Sequence, residues 1–415
     1  MRVGFLSTRL AGTDGVSLES AKVVALLVRM GHDVAYCAGE LDAGGPGGLQ
    51  IAEMHFRHPE IEAIQADVFR CKDTQMLRSR IAASVKRLRA SIREFVQEYR
   101  LDLLVAQNAC AIPMNIPLGI ALSEEVAEAE IRCVGHHHDF AWERERFTPC
   151  AVQDLIDMHF PPKGRSIRHA VISSIARREL LRRRGIESIV LPNVMDFASG
   201  PPARASRSEE LRTALGFGDD DIVLLQPTRV VPRKGVEHAI ELARRLVSAC
   251  HPRSVHLLIS HPSGDEGPEY ANWLQKEAAT SGVDLVLAAD RFVAVRESED
   301  SAGFDLRDAY ELADFVTFPS HIEGFGNALL EAVFYRKPLL VNRFPVYVAD
   351  IAPCRFDFVE IDRAIDQETA DSVARLLDDA ELSARTTTRN YAIATEHFSY
   401  EVAERRLAQL IDRWA

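Results

Sequence analysis

The chain has 415 residues, 47% of them hydrophobic and 27% charged, a globular balance whose length predicts two or three domains at roughly 100–200 residues each. Its 49 Lys and Arg against 61 Asp and Glu give a net charge of −12, which argues against nucleic acid as a main partner, because affinity for it comes from neutralising phosphates. Seven scattered cysteines without a CxxC pair argue against a disulfide framework or a zinc site, and for buried thiols in a reducing, cytoplasmic setting.

Met1–Leu10 carries no long apolar stretch, and no apolar run approaches the ~20 residues of a membrane span. Arg2–Ser7 reads as a buried strand, followed by the loop Leu10–Ser17. Leu18–Met30 reads as a helix stopped by Gly31, and His32–Cys37 as the next strand. This strand, glycine loop, helix, strand order opens a parallel doubly wound sheet. Further strands are predicted at Leu101–Ala106, Ile131–Gly135 and His169–Ser173. A second start follows at Asp221–Gln226, with a helix over Val236–Cys250 and strands at Val255–Ser260, Val283–Ala288, Ala313–Phe318 and Pro338–Asn342. Two sets of β/α units predict an α/β protein of two Rossmann-like domains. The Pro-, Gly- and Asn-containing stretch Pro192–Pro202 is the candidate hinge.

Two basic stretches stand out from the acidic whole. Leu77–Arg100 spaces Leu77, Ile81, Val85, Leu88, Ile92 and Phe95 for one helix face, with arginines and Lys86 elsewhere. Lys163–Gly185 holds eight basic residues against one acid, Glu179. The plain reading is solvated helix faces, the second ending in Arg182–Arg184 to complement the macrodipole. The alternatives are an acidic acceptor or a weak contact with an anionic membrane surface.

The most specific segment is Pro319–Val341. Gly324 and Gly326 allow close backbone approach to a ligand, and a helix is predicted to begin near Asn327. The N-terminus of such a helix suits a diphosphate. Glu323 in the loop and Glu331 about one turn into the helix are placed to accept hydrogen bonds from ribose or sugar hydroxyls. A second loop, Pro227–Gly235, carries Arg229 and Lys234, two cations able to neutralise a diphosphate as it leaves.

In Gly135–Arg146, alternation along a strand lets at most His136 and His138 share a face, and no HExxH pattern accompanies them, so no metal is expected. One histidine at the strand end, oriented by Asp139, suits a sugar-hydroxyl ligand. Arg144 and Arg146 are candidates for an acidic acceptor, or for pairing with Glu143 and Glu145. Gly12 and Gly15 lack the GxGxxG spacing but permit close backbone approach to a ligand; Ser17 is a candidate helix cap, with Ser20 inside the helix.

Taken together these residues resemble the retaining GT-B glycosyltransferases related to glycogen and sucrose synthases, and more closely the large bacterial nucleotide-sugar branch, family four. The resemblance rests on Gly12–Gly15, the His138-Asp139 pair, Pro192–Phe197, Arg229 with Lys234, the segment from Glu323 to Glu331, and His397–Glu401. It implies two Rossmann-like domains facing a cleft: residues 1–195 for the acceptor, 196–397 for the nucleotide sugar, and 398–415 as a helix returning to the first domain. It implies that Arg229 and Lys234 stabilise the leaving diphosphate and that Glu331 binds the ribose. Glu323, with the backbone of Gly324, Phe325, Gly326 and Asn327, would hold the donor sugar. His138 would contact the sugar near the reacting carbon, with His137 as second choice, and Gly15 would approach the phosphate.

The implied reaction moves a hexose from a GDP- or UDP-linked donor to an acceptor hydroxyl, front-face and with retention, without a metal or other cofactor. Ser260–Tyr270 and His136–Phe147 resemble a branch making glycerate glycosides. Three other readings compete: a nucleotide-sugar epimerase or dinucleotide dehydrogenase, for which the GxGxxG spacing is missing; a membrane-associated lipid or polysaccharide glycosyltransferase; and a non-catalytic membrane-binding protein.

Overall fold

The computed structural model describes residues 1–12, 14–42, 44–70, 73–201, 206–263, 267–293 and 303–412. Pro202 at the end of the expected hinge, Cys71, part of the Ser260–Tyr270 segment, and the last three residues of the expected returning helix 398–415 lie outside the described residues. Contacts divide the chain into one unit of Met1–Asn193 with Glu401–Ala415 and another of Val194–Tyr400.

The first unit is built on β1 (Arg2–Ser7), α1 (Gly15–Arg29), β2 (Asp33–Ala38), β3 (Gly48–Gln50), α2 (Pro59–Phe69) and α3 (Gln75–Glu98). It continues through β4 (Leu103–Gln107), α4 (Ile116–Glu128), β5 (Arg132–His137), α5 (Gln153–His159), β6 (Ile167–Val171), α6 (Ser174–Arg184) and β7 (Ile189–Val190). The sheet is parallel in the order β3-β2-β1-β4-β5-β6-β7, so the winding direction reverses between β1 and β4. Central strands buried on both faces read as unbroken apolar runs, which is why they were visible in the sequence.

Helix α3 buries Ile81, Val85, Leu88, Ile92 and Phe95. Its arginines face carboxylates: Arg78 pairs with Asp73 and Asp154, Arg80 with Asp67, and Arg87 with Glu53 and Glu60. Arg89 and Arg93 close on Glu125 of α4, whose side chain is 1% exposed. The basic stretch is therefore largely a neutralised packing face. Glu179 likewise takes Arg182 and Arg183 at the end of α6.

The second unit runs α7 (Ser208–Leu215), β8 (Ile222–Gln226), α8 (Val236–Ala249), β9 (Val255–Ile259), α9 (Glu269–Ser281), β10 (Asp284–Leu287), α10 (Leu306–Leu312) and β11 (Phe315–Phe318). It closes with α11 (Asn327–Phe334), β12 (Leu339–Asn342), β13 (Val359–Ile361), α12 (Gln367–Asp378) and α13 (Ala380–Phe398). The order β10-β9-β8-β11-β12-β13 puts its reversal between β8 and β11. Helix α8 buries Val236, Ala239, Ile240, Ala243 and Leu246 against the sheet and turns Glu241, Arg244 and Arg245 outward as ion pairs.

The last helix, α14 (Tyr400–Asp412), belongs from Glu401 onward to the first unit. Leu407 and Leu410 lie beside Val23, Leu27, Val105 and Leu191, Glu401 and Glu404 pair with Arg29, and Arg406 bonds the Val190 carbonyl.

Candidate functional site

In open parallel sheets, ligands bind beyond the carboxyl ends of the strands where the winding reverses. In the second unit the two loops at that point follow β8 and β11, and they are Pro227–Gly235 and Pro319–Gly326, the segments singled out by composition. They pack against each other. Gly235 takes φ +62°, and a Cβ there would lie 2.4 Å from the Pro319 carbonyl oxygen. The His321 amide donates to the Arg233 carbonyl at 2.9 Å.

This contact joins the charged residues. The Lys234 ammonium bonds Oε1 of Glu323, with the two side chains 12% and 9% exposed. Arg233 reaches the other oxygen of Glu323 at 3.7 Å. Burial lowers the Lys234 pKa from the usual lysine value, opposed by the Glu323 carboxylate. Arg229 is solvent-exposed. His261, after β9, has its pKa pushed down to about 4, first by burial and then by the cations of Lys234 and Arg229. Arg233 and His261 were not assigned roles from sequence: Arg233 stood unremarked beside Lys234, and His261 carries no motif of its own.

Gly326 caps α11 with φ +115°, and a Cβ there would lie 2.9 Å from the Phe318 ring, so the turn into the helix requires glycine. Phe325 puts its ring in the core against Phe398. Gly324 is exposed and Asn327 opens the helix. Glu331 is half-buried and accepts from the Tyr310 hydroxyl at 2.9 Å, which fixes its carboxylate.

The first unit holds Gly12, Gly15 and His138. Gly12 has φ +77° and donates to Asp42 at 3.0 Å. Helix α1 starts at Gly15, three residues before the predicted start, because Asp14 caps it: its carboxylate accepts from Val16 N, Ser17 N and the Ser17 hydroxyl. Ser17 is therefore not the cap. Ser20 lies inside the helix and donates to the Val16 carbonyl.

The three histidines separate as alternation requires. The rings of His136 and His138 lie 4.6 Å apart on one side, and His137 bonds His169 at 2.8 Å on the other, fully buried. That burial removes His137 as an alternative sugar ligand. His138 is half-buried, and burial pushes its pKa down to about 4, which keeps the imidazole neutral. Asp139 does not orient it. Asp139 bonds Asn108 and Arg144, while the His138 amide donates to Asn108 and its Nε2 lies 3.4 Å from the Gln107 side chain. Arg144 thus pairs with Asp139 rather than with Glu143 or Glu145, and Arg146 lies over the Phe147 ring. Ser7 at the end of β1 donates to the carbonyl of Gln107 at the end of β4 at 2.9 Å, which ties together the two strand ends at the reversal point of this sheet, and β5, which leads into His138, lies next to β4.

Residues 207–393 match the family of glycosyl transferases group 1. The chain is 32% identical over 445 residues to the mannosylglucosylglycerate synthase of Thermotoga maritima, covering 100% of this chain and 99% of that one. The chain belongs to the group 1 glycosyltransferases. This glycosyltransferase is also 30% identical over 377 residues to the mannosylglucosylglycerate synthase of Petrotoga mobilis, covering 87% of this chain and 86% of that one. Among solved structures it resembles HepE of Anabaena in complex with UDP and glucose, with a TM-score of 0.66, 15% identity and full coverage of both chains. The glycosyltransferase thus has the GT-B fold, as the resemblance implied. Among its described residues no helix is long and apolar enough to cross a membrane.

Proposed function

We propose that the enzyme transfers a hexosyl group, mannosyl first among the candidates, from a nucleoside-diphosphate sugar of the GDP-mannose or UDP-glucose type to a hydroxyl of a glycerate glycoside, with retention at the anomeric carbon. The acceptor class follows from full-length similarity to a synthase named for a mannosylated glucosylglycerate. The observation that carries the reading is the Lys234–Glu323 pair, half enclosed between the two loops at the sheet's reversal point, with Arg233 and Arg229 beside it.

Lys234 and Arg229 neutralise the diphosphate, and this matters most as charge develops on the leaving oxygen. The bond from the anomeric carbon to that oxygen breaks with its electron pair left on the phosphate. The acceptor oxygen bonds the same face of the carbon, and its proton passes to the departing phosphate oxygen. Glu331 receives the ribose hydroxyls, Glu323 and the backbone of Gly324 to Asn327 receive the sugar, and neutral His138 donates to a sugar hydroxyl. Gly12 and Gly15 give the phosphate room to approach the backbone. The cations take the part a metal plays elsewhere, so the transfer step in this reading uses none.

The test is a thermal-shift panel of UDP, GDP, ADP and their hexose conjugates in EDTA, followed by NMR of the product formed with a glycerate glucoside. A nucleotide at 100 times its Kd adds about 2.7 kcal/mol of stability. Stabilisation by one nucleotide family despite EDTA and a product with the donor's anomeric configuration are expected. No response to any nucleotide, or an inverted product, would overturn the reading.

A further inference from the structure

We infer that Glu237, His238 and His321 form a binding site for a divalent transition-metal ion of the zinc class. Glu237 and His238 lie in the first turn of α8, and His321 lies in the loop after β11. One ligand atom from each residue comes within 4.8 Å of the others. The Nε2 of His321 is already 3.2 Å from Oε1 of Glu237. Two ligands held at 2.0–2.1 Å by a tetrahedral ion sit roughly 3.3 Å apart, so this edge of the site has the required spacing.

The surrounding groups support the same assignment. The second oxygen of Glu237 accepts from the Tyr270 hydroxyl, which fixes the carboxylate as an outer-shell partner of a metal ligand does. The rings of His238 and His321 meet edge to face, 5.2 Å between centroids. The Nε2 of His238 is buried with no hydrogen-bond partner, a cost that coordination would remove. The side chains of Glu237 and His321 are each 30% exposed, which leaves an entry path. Two imidazoles and one carboxylate select zinc, nickel or copper over magnesium or calcium, and leave a fourth position for water.

Coordination would tie the start of α8 to the loop that carries Glu323, beside the existing bond from His321 to Arg233. It asks nothing of the transfer chemistry and does not rest on the proposed reaction, so its test needs no sugar. Metal-free protein is titrated with Zn2+ by calorimetry and with Co2+ by visible absorption, alongside His238→Ala and His321→Ala. One equivalent is expected to bind the native chain, with tenfold or weaker binding in both variants, and Mg2+ should give no saturable heat. His321→Gln carries the test should His238→Ala fail to fold, since His321 sits in a half-exposed loop. Absence of saturable Zn2+ binding to the native chain, or unchanged affinity and stoichiometry in the His321 variants, would overturn the assignment.

Discussion

Replacing Gly235 by alanine probes the contact on which the candidate site depends. The new Cβ would sit 2.4 Å from the Pro319 carbonyl oxygen and 3.3 Å from His238, at a residue held at φ +62°. The left-handed backbone alone costs an alanine about 1–2 kcal/mol. Relieving the overlap requires the two loops to part by about 1 Å, which raises the total to roughly 2–4 kcal/mol. For a unit the size of Val194–Tyr400 this corresponds to a fall in melting temperature of about 5–15 °C.

Because Lys234 and Glu323 sit on opposite sides of that contact, a shift of this size should lower turnover about 100-fold. Gly282→Ala is the control. It has φ +68° at the end of α9 with nothing within 4 Å of the added atom, so it should lose only the backbone part, about 2–8 °C, and keep full activity. Calorimetric melting and initial rates on both variants make the comparison. If Gly235→Ala melts and turns over like Gly282→Ala, the loop contact does not organise the site.

Lys234→Met should lower kcat about 10²- to 10³-fold, the loss typical of one donor to developing charge, with far-UV dichroism unchanged. Glu331→Gln retains an acceptor for Tyr310 and should raise KM for the donor more than it lowers kcat. A change confined to kcat would contradict ribose binding. Burial depresses the pKa of His169 to about 4 and also lowers that of His137. Stability from these neutral rings is therefore complete above the unfolded value near 6.5 and is lost as pH falls toward 4. The His169 part amounts to about 3 kcal/mol, so melting at pH 7 and pH 5 should converge in His169→Gln relative to the native chain. Since the arginines of α3 already face carboxylates, sedimentation with anionic vesicles at physiological salt should retain no protein.

The alternation of buried strands and amphipathic helices made both sheets legible, because parallel strands covered on both faces are written as short apolar runs. The short edge strands Gly48–Gln50, Ile189–Val190 and Val359–Ile361 carry too few residues to show any period. The two loops at the second sheet's reversal were also legible, since glycines between a strand and a helix, with cations or carboxylates beside them, have a local signature. Relations across the chain were not. Asp14 displaced Ser17 as the cap because its carboxylate reaches two amides and a hydroxyl. Asp139 was drawn to Asn108 and Arg144, which no spacing rule reveals. Arg233 and His261 became visible only when folding placed their charges and rings around Lys234.

The return of Glu401–Asp412 to the first unit bears on synthesis. The groove formed by Val23, Leu27, Val105 and Leu191 leaves the ribosome early, but Leu407 and Leu410 arrive only with the last residues translated. The second unit, drawn from one continuous stretch, can fold while its predecessor still exposes apolar surface. At 5–20 residues per second the interval from Asn193 to Leu410 lasts on the order of tens of seconds, a window in which a chaperone has something to hold.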